Sequence, residues 1–347
     1  MNNYYDIENI YRHSIRVLET YGMPTNDAEI FVDSMLSSDM SGIFTHGIKM
    51  LPSYLGKIQK REISFNKPEI TKQTSSFTVI DAKNTVGAIS ATYAKNIAIE
   101  QARKNGIHTV YSRNANTFGA GFYFVDKIAD EGLIGFACCN SPAAMPAYNG
   151  LEVMLGTNPF AFAFPTKSYG NIVIDMASSV VAKSRFIIAK EAGKKLEPGW
   201  ALDKYGNPTI EPEEAINGLV LPMAGFKGYA ISMMIDILAG LLSGAAYLNK
   251  VGKFYSDNGK SMNVGHMIIA INPELIYDGN FISDADTYIE IMRTSKTIEG
   301  KEIIIPGDRR LKNIKMSKEK GLELPADVVK KLEKIFGKNL KHASDTY

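Results

Sequence analysis

Residues 77–112 read FTVIDAKNTVGAISATYAKNIAIEQARKNGIHTVYS, and this stretch decides the fold class. The residues at 77–81 and at 109–112 are rich in β-branched and aromatic side chains, which predicts two strands. Between them, residues 91–104 have a helical composition that stops before Gly106, which predicts a helix. A strand, a helix and a second strand in close succession are typical of a β-α unit, so the sequence predicts an α/β fold.

The alternation continues beyond this unit. The pattern predicts a helix at 121–131, strands at 133–139, 160–164 and 172–174, a helix at 181–192, and a long helix at 226–243. Toward the two chain ends it predicts helices over most of 5–60, a strand at 267–271, a helix at 283–293, a strand at 303–305 and mostly helix over 309–340. We therefore expect a cofactor-binding domain at 77–260 and a second, mainly helical domain formed by 1–76 and 261–347.

Composition limits the class of protein. The 347 residues are 45% hydrophobic and 22% charged, which excludes a disordered chain and a disulfide-stapled miniprotein. The net charge is only +2, although residues 309–341 contain eleven Lys or Arg against four Asp or Glu. Because these lysines alternate with apolar residues at helical spacing, we interpret the segment as a solvated helix face and do not expect nucleic-acid binding.

The cysteines and the longest apolar stretch indicate the cellular compartment of the protein. Cys138 and Cys139 are neighbours, and on a strand they point to opposite faces, so they cannot share a disulfide. The first ten residues lack the pattern of a secretory signal. Residues 229–244 are fewer than the roughly 20 that a membrane span needs, and they include Asp236. We expect a cytoplasmic protein that does not bind membranes, with 229–244 as a buried helix.

The usual cofactor and metal signatures are absent. The nearest match to the dinucleotide fingerprint, Gly119-Ala-Gly121, lacks the third glycine. No phosphate-loop lysine motif occurs, and the five histidines do not have metal-ligand spacing, so we expect no metal site.

Several turns remain that have both a functional and a structural interpretation. Asp175–Ser179 predicts either a phosphate site at a helix start or an ordinary helix cap. Lys227, at the start of the long helix, either neutralises phosphate or is a surface lysine. His46 lies at a break between helical stripes, where its imidazole either carries a proton at neutral pH or is structural.

Six stretches occur together in an order that indicates a family. They are SGIFTHGIKMLPSY (41–54), RNANTFGAG (113–121), LGTNPFAFAFP (155–165), DMASSVVA (175–182), PGWALDKYGNPT (198–209) and LPMAGFKGYAISMMIDILAGLLSGA (221–245). With them the chain resembles the malate/L-lactate/sulfolactate dehydrogenase family, which includes ureidoglycolate dehydrogenase and 2,3-diketogulonate reductase. The resemblance implies a non-Rossmann, sulfolactate dehydrogenase-like α/β fold, a homodimer, and hydride transfer between NAD or NADP, with NAD favoured, and C2 of a small 2-hydroxy or 2-oxo acid.

The resemblance also implies roles for particular residues. His46 matches the proton donor and acceptor. The implied substrate residues are Thr45, Lys49, Met50, Tyr54 and Thr117. The implied cofactor residues are Phe118, Gly119, Thr157, Asn158, Pro159, Asp175, Met176, Ala177, Ser178, Ser179, Lys227, Gly228, Gly307, Asp308 and Arg309.

Two departures from the family pattern bear on the substrate. Met50 replaces an arginine that grips the substrate carboxylate, and Thr117 replaces a histidine. Methionine cannot form the bidentate contact, and Lys49 offers only a point charge in its place. The sequence therefore predicts an altered substrate pocket. A cyclic imino acid reductase and a non-catalytic, metabolite- or cofactor-binding descendant of the family are the alternatives.

Overall fold

The structure is a computed structural model that describes residues 3–255 and 261–346. Its strands within these ranges are β1 (Tyr4–Tyr5), β2 (Glu69–Gln73), β3 (Phe77–Asp81), β4 (Ile107–Ala115), β5 (Ile134–Cys139), β6 (Met145–Pro146), β7 (Val153–Leu155), β8 (Phe160–Phe164), β9 (Ile172–Met176), β10 (Ala201–Leu202), β11 (Pro208–Thr209), β12 (Leu219–Val220), β13 (Val264–Ile271) and β14 (Leu322–Glu323).

The α-helices of the same ranges are α1 (Ile7–Thr20), α2 (Thr25–Met40), α3 (Leu51–Gln59), α4 (Gly87–Asn105), α5 (Phe122–Asp130), α6 (Ser184–Glu191), α7 (Pro212–Asn217), α8 (Phe226–Ile235), α9 (Phe281–Arg293), α10 (Asp308–Lys320) and α11 (Ala326–Phe336). Two 3-10 helices, Phe44–His46 and Ile48–Met50, connect α2 to α3, and a π-helical segment, Asp236–Leu241, extends α8.

A seven-stranded mixed sheet in the order β2-β3-β4-β13-β5-β8-β9 forms the centre. The β3–β4 pair is parallel, and each of the other neighbouring pairs is antiparallel. This alternation brings the ends of β4, β5 and β9 and the beginnings of β8 and β13 to one end of the sheet, which we call the loop end. The expected α/β fold is confirmed.

Helices cover the two faces of this sheet. Helix α4 packs on β4 and β13, and α5 packs on β5 and β8. On the opposite face, the Asp236–Leu241 segment packs on β13 and β5 through residues such as Ala239, Met267 and Cys138. Alternate residues of β13 therefore serve different cores, and Ile268, fully buried beneath α4, contributes about 1.5–3 kcal/mol by leaving water.

The chain ends meet in a helical layer beside the sheet. Strand β1 pairs with β14, so that Tyr4 lies opposite Glu323, and α1 contacts both α2 and α11. The division of the chain into domains stays a prediction. The sheet crosses both of its boundaries, since β2 comes from 1–76 and β13 comes from 261–347.

Some predicted elements differ from the structure. Residues 303–305 form no strand, because no neighbouring strand pairs with them and the Ile305 amide donates instead to the Asp308 carboxylate. Residues 309–340 are mostly helical, as predicted, but in two helices: α10 ends at Lys320, because Gly321 has φ 89° and β14 follows, and α11 then begins at Ala326. The stretch 229–244 is not a buried helix, since Met234 and Leu241 on one face are 47% and 52% exposed.

Two further predictions can be compared with the structure. Cys138 and Cys139 are buried and free, as predicted. Within the described ranges, no helix has both the length and the apolar character needed to cross a bilayer.

Candidate active site

The turns predicted to contact a cofactor lie mainly at the loop end of the sheet. Thr117–Gly119 follows β4, Thr157–Pro159 precedes β8, and Ala177–Ser179 follows β9. Helix α8 joins them, because the backbone oxygen of Ser178 accepts a hydrogen bond from Met223 and lies where a side chain on Gly228 would clash. Segments far apart in sequence thus form one continuous rim.

The turn at 156–159 is held from several directions. Asn158 is fully buried, its Oδ1 accepts the amide of Ser141 at 2.9 Å, and its Nδ2 donates to the backbone of Ser232 at 2.9 Å. Ser178 is also fully buried, and its amide and hydroxyl both donate to the oxygen of Thr157. The side chains of Asn158 and Ser178 are therefore used to build the rim. Thr157 and Pro159 are only partly buried.

The stretch Asp175–Ser179 does not start a helix, contrary to both interpretations of the sequence. Helix α6 begins five residues later, at Ser184, and the hydroxyl of Ser179 donates to Val181 instead. Asp175 accepts hydrogen bonds from the amides of Gly121 and Phe122, the latter at 2.9 Å, and so caps α5 across the sheet. Burial raises the pKa of Asp175 to about 6, although these hydrogen bonds oppose the shift. Met176 and Ala177 remain accessible, Met176 at 41%.

The loop after β4 depends on a histidine that the sequence analysis does not single out. The buried His266 donates from Nε2 to the backbone oxygen of Asn116 at 2.8 Å, and its ring lies 4.9 Å from that of Phe118. Burial lowers the pKa of His266 to about 4, so the ring is neutral. The Phe118 side chain belongs to the core, whereas Thr117 and Gly119 are half-buried and line the rim.

His46 lies in a turn that a buried carboxylate holds in place. Asp39, at the end of α2, accepts the amide of Ile48 at 2.6 Å, and its carboxylate occupies the space that a side chain on Gly47 would need. Glycine is required there because of this close approach. Burial raises the pKa of Asp39 to about 7, although the Ile48 hydrogen bond and the charge of Lys49 lower it. Asp39 is a positioning residue that the sequence analysis missed.

The imidazole of His46 is accessible and uncharged. His46 is exposed, whereas the other four histidines are buried or half-buried. Surrounding protein, together with the charge of Lys49, lowers its pKa from the ordinary value. The lowered pKa leaves His46 neutral at pH 7. A neutral, accessible imidazole can accept a proton from a hydroxyl group.

Helix α3 presents the other predicted substrate residues. Tyr54 is 5% exposed, and its ring contacts Phe31 and Phe254 at centroid distances of 4.7 and 4.9 Å. Burial raises the pKa of Tyr54, with further contributions from Tyr255 and Cys139. Cys139 links α3 to the rim, because the backbone of Phe118 hydrogen-bonds its side chain and its amide donates to Pro159. Thr45, Lys49 and Met50 are half-buried.

Lys227 and Arg309 lie near opposite ends of β9. Lys227 is exposed in the first turn of α8, near the loop end. Gly307 and Arg309 lie at the opposite end of β9, where the backbone of Pro306 accepts the amide of Val173. Neither Lys227 nor Arg309 forms an ion pair with any residue that the structure describes, so both charges are available to a ligand.

Other charged groups near Arg309 are already engaged. Asp308 pairs with Arg293 at 2.8 Å. Arg310 forms a bidentate pair with Asp126 at 2.7 and 3.0 Å, and it lies over the ring of Phe122. Arg310 is therefore not free to bind a phosphate, which leaves Arg309. Over residues 3–255 and 261–346, His, Cys, Asp and Glu side chains form no metal-binding cluster.

Comparison with known proteins relates the chain to one family of dehydrogenases. A family model described as malate/L-lactate dehydrogenase matches residues 5–333. Malate/(S)-sulfolactate dehydrogenase of Methanothermus fervidus is 34% identical over 323 residues, which cover 92% of this chain and 94% of that protein. The (2R)-3-sulfolactate dehydrogenase (NADP(+)) of Chromohalobacter salexigens is 30% identical, with 92% and 94% covered.

A further relative and a solved structure agree with these matches. Ureidoglycolate dehydrogenase (NAD(+)) of Escherichia coli O157:H7 is 33% identical over 271 residues, which cover 77% of this chain and 74% of that protein. Sulfolactate dehydrogenase from Methanocaldococcus jannaschii superposes with a TM-score of 0.90 at 32% identity, with 97% of this chain and 98% of that chain covered.

Proposed function

Because the chain belongs to the malate/L-lactate dehydrogenase family, we propose that it transfers a hydride between a nicotinamide cofactor and C2 of a small 2-hydroxy or 2-oxo acid at the loop end of the sheet. The observation that supports the proposal is the proximity of the rim turns to α3, the helix that follows the His46 turn in sequence. Cys139 joins them, since it contacts Phe118 and Pro159 and influences the pKa of Tyr54.

The cations near the two ends of β9 are available to the phosphates of a dinucleotide cofactor. Lys227 and Arg309 supply two unpaired positive charges near opposite ends of β9, a strand of five residues that spans roughly 3.3 Å per residue. Gly228 permits the close backbone packing from which Lys227 projects. We infer that Arg309, which forms no ion pair with a described residue, is available to a 2′-phosphate, which would allow NADP as well as NAD. When bound, the nicotinamide supplies or accepts the hydride.

The chain's own residues handle the proton and the orientation of the substrate. In the oxidative direction, neutral His46 takes the hydroxyl proton while the hydride leaves C2; in the reductive direction, the imidazolium returns the proton to the carbonyl oxygen. Asp39 fixes the turn that presents the imidazole. Thr45, Thr117 and Tyr54 provide hydroxyl groups around the same space, and Lys49 provides a positive charge for a carboxylate.

Calorimetry with NADH or NADPH, followed by turnover of a panel of 2-oxo acids and cyclic imino acids, tests this function. We expect cofactor binding and turnover, and we expect His46→Ala to lower kcat by about 100- to 10,000-fold while cofactor affinity is retained. His13→Ala is the matched control and leaves turnover unchanged. Absence of cofactor binding would contradict the proposal.

The replacement of the family arginine by Met50 favours one alternative, a non-catalytic descendant that binds cofactor or metabolite. It predicts binding without turnover for any member of the panel. Turnover that His46→Ala abolishes would exclude it, so the same experiment separates the two.

We also propose that the protein is a homodimer. Met233, Met234, Ile237 and Leu241 lie on one face of the helix that runs from α8 into the π-helical segment, and they are 41% to 52% exposed. A contiguous apolar helix face of this kind is stabilised when a second copy covers it. We also propose that the protein is located in the cytoplasm, because its two buried cysteines are free thiols.

A further inference from the structure

An aromatic pair lies over Met50. The hydroxyl of Tyr255 is 3.4 Å from Sδ of Met50. The neighbouring Phe254 packs edge-on against both Tyr54, at 4.9 Å, and Tyr255, at 5.1 Å between ring centroids. Met50, Tyr54, Phe254 and Tyr255 thus form a small surface of rings and a thioether, which we call the aromatic subsite.

The aromatic subsite is fixed to the core through Phe254, and it is open to solvent at Tyr255. Phe254 is 7% exposed and belongs to the main core, and Gly252 before it is held by a backbone hydrogen bond to Met262. Tyr255 is 74% exposed. A tyrosine with a buried neighbour and an open ring offers a firm apolar contact together with one neutral hydroxyl group.

Lys49, the charged residue next to this surface, extends in a different direction from Met50. Met50 and Lys49 are successive residues of a 3-10 helix, which has about three residues per turn, so their side chains diverge by roughly 120°. Lys49 influences the pKa of both Asp39 and His46, whereas Met50 contacts Tyr255. The ammonium group of Lys49 is therefore close to Asp39 and His46, whereas the Met50 thioether lies against Tyr255.

We propose that Met50 and Tyr255 form a specificity subsite for an uncharged, apolar substituent, and that the substrate is a 2-oxo or 2-hydroxy acid with a single carboxylate directed to Lys49. This inference rests on the proposed function and names its substrate class. A second carboxylate on the substrate, as in malate, would lie against a thioether and a neutral phenol, and the described cation beside the subsite, Lys57 at 5.3 Å from the Phe254 ring centroid, is already paired with Glu62.

The test compares two substrates that are nearly equal in shape. Oxaloacetate and 4-methyl-2-oxopentanoate carry a planar carboxylate and an isopropyl group, respectively, at the same distance from C2. We expect kcat/KM to favour the uncharged acid by at least about tenfold. Met50→Arg reverses this preference by supplying a bidentate partner for the carboxylate. Preference of the unaltered protein for oxaloacetate would overturn the proposal.

Variants of Tyr255 test its role as a specificity residue. Tyr255→Ala raises KM for 4-methyl-2-oxopentanoate by about tenfold, because the apolar contact is lost, while kcat changes little. The control is Tyr205→Ala, at another exposed tyrosine (69% exposed). An unchanged KM in Tyr255→Ala would overturn the proposal.

Binding measurements distinguish failure of the inference from failure of the proposed function. If the protein binds neither NADH nor NADPH, the proposed function fails. The affinities of the two acids for the protein, measured by calorimetry with and without cofactor, still decide the inference: tighter binding of 4-methyl-2-oxopentanoate supports it, and equal or tighter binding of oxaloacetate overturns it.

Discussion

His46 differs from the buried histidines in what its ring atoms contact. His108 is bound on both sides, by Thr78 and by the backbone of Ser75, and His266 is bound to the backbone of Asn116. Those rings stabilise the sheet and its loops. The ring of His46 is exposed, and only its turn is fixed, through Asp39. A proton carrier needs this combination of a fixed backbone and a free ring.

The lowered pKa of His46 predicts a specific pH dependence. In the oxidative direction, the base form is required, so kcat/KM rises with pH, levels off below pH 7 and stays constant at higher pH. The controlling pKa lies below 6.5, because desolvation disfavours the imidazolium. Initial rates between pH 4.5 and 8.5 check this, and an inflection above pH 7 would contradict it.

The raised pKa of Asp39 predicts that the stability of the folded protein depends on pH. Its pKa is raised to about 7 in the folded state, so the folded protein retains a proton that the unfolded chain loses, and stability falls as pH rises toward 7. Asp39→Asn keeps an acceptor for Ile48 but does not titrate. Between pH 5 and 8, unaltered protein should lose about 2–3 kcal/mol of unfolding free energy relative to Asp39→Asn.

Urea unfolding at these two pH values measures the difference, and Asp278→Asn, an exposed position, is the control. Parallel pH profiles for Asp39→Asn and the unaltered protein would rule out this role for Asp39. The sequence does not reveal Asp39, because an acidic residue near the end of a helix is ordinary; its significance comes from the close approach of Gly47.

At the scale of elements, α5 depends on a residue from a distant strand. Gly121 provides no side chain to cap the helix, and Asp175 of β9 accepts its first amide groups instead. We expect Asp175→Ala to lower the unfolding free energy by about 1 kcal/mol and to weaken cofactor binding, since α5 directly follows Thr117–Gly119. Urea unfolding and calorimetry measure both effects. Glu152→Ala, at an exposed residue, is the control, and equal stability of the two variants would argue against the capping role.

Local sequence specifies some of the observed elements but not their order in the sheet. The strands at 77–81 and 160–164 match the structure residue for residue, because local composition is sufficient to specify a strand in a buried sheet. The order of the sheet was not predictable, since β13 pairs with β4 and β5 across more than a hundred residues. The rim exists only because of that order. The candidate site is therefore predictable from the family resemblance, whereas the roles of Tyr255 and His266 follow only from the three-dimensional structure.

At the scale of the whole molecule, the apolar face of α8 and its π-helical extension predicts the oligomeric state. We expect a dimer of the 38.2 kDa chain in light scattering coupled to size exclusion. Leu241→Glu places a charge on this face and should shift the protein to the monomer, because an unpaired carboxylate in an apolar interface is costly. Ile298→Glu, at a residue 79% exposed elsewhere, is the control. A monomeric unaltered protein would contradict the prediction.

The central claim is that the imidazole of His46 and the rim turns face the same reacting atoms. A crystal structure of the protein with NADH and a 2-oxo acid tests this most directly. We predict that the nicotinamide lies against Thr117–Gly119 and Thr157–Pro159, and that the substrate oxygen lies within about 3.2 Å of the His46 ring. A nicotinamide bound away from His46, with no space for a substrate between them, would contradict the account.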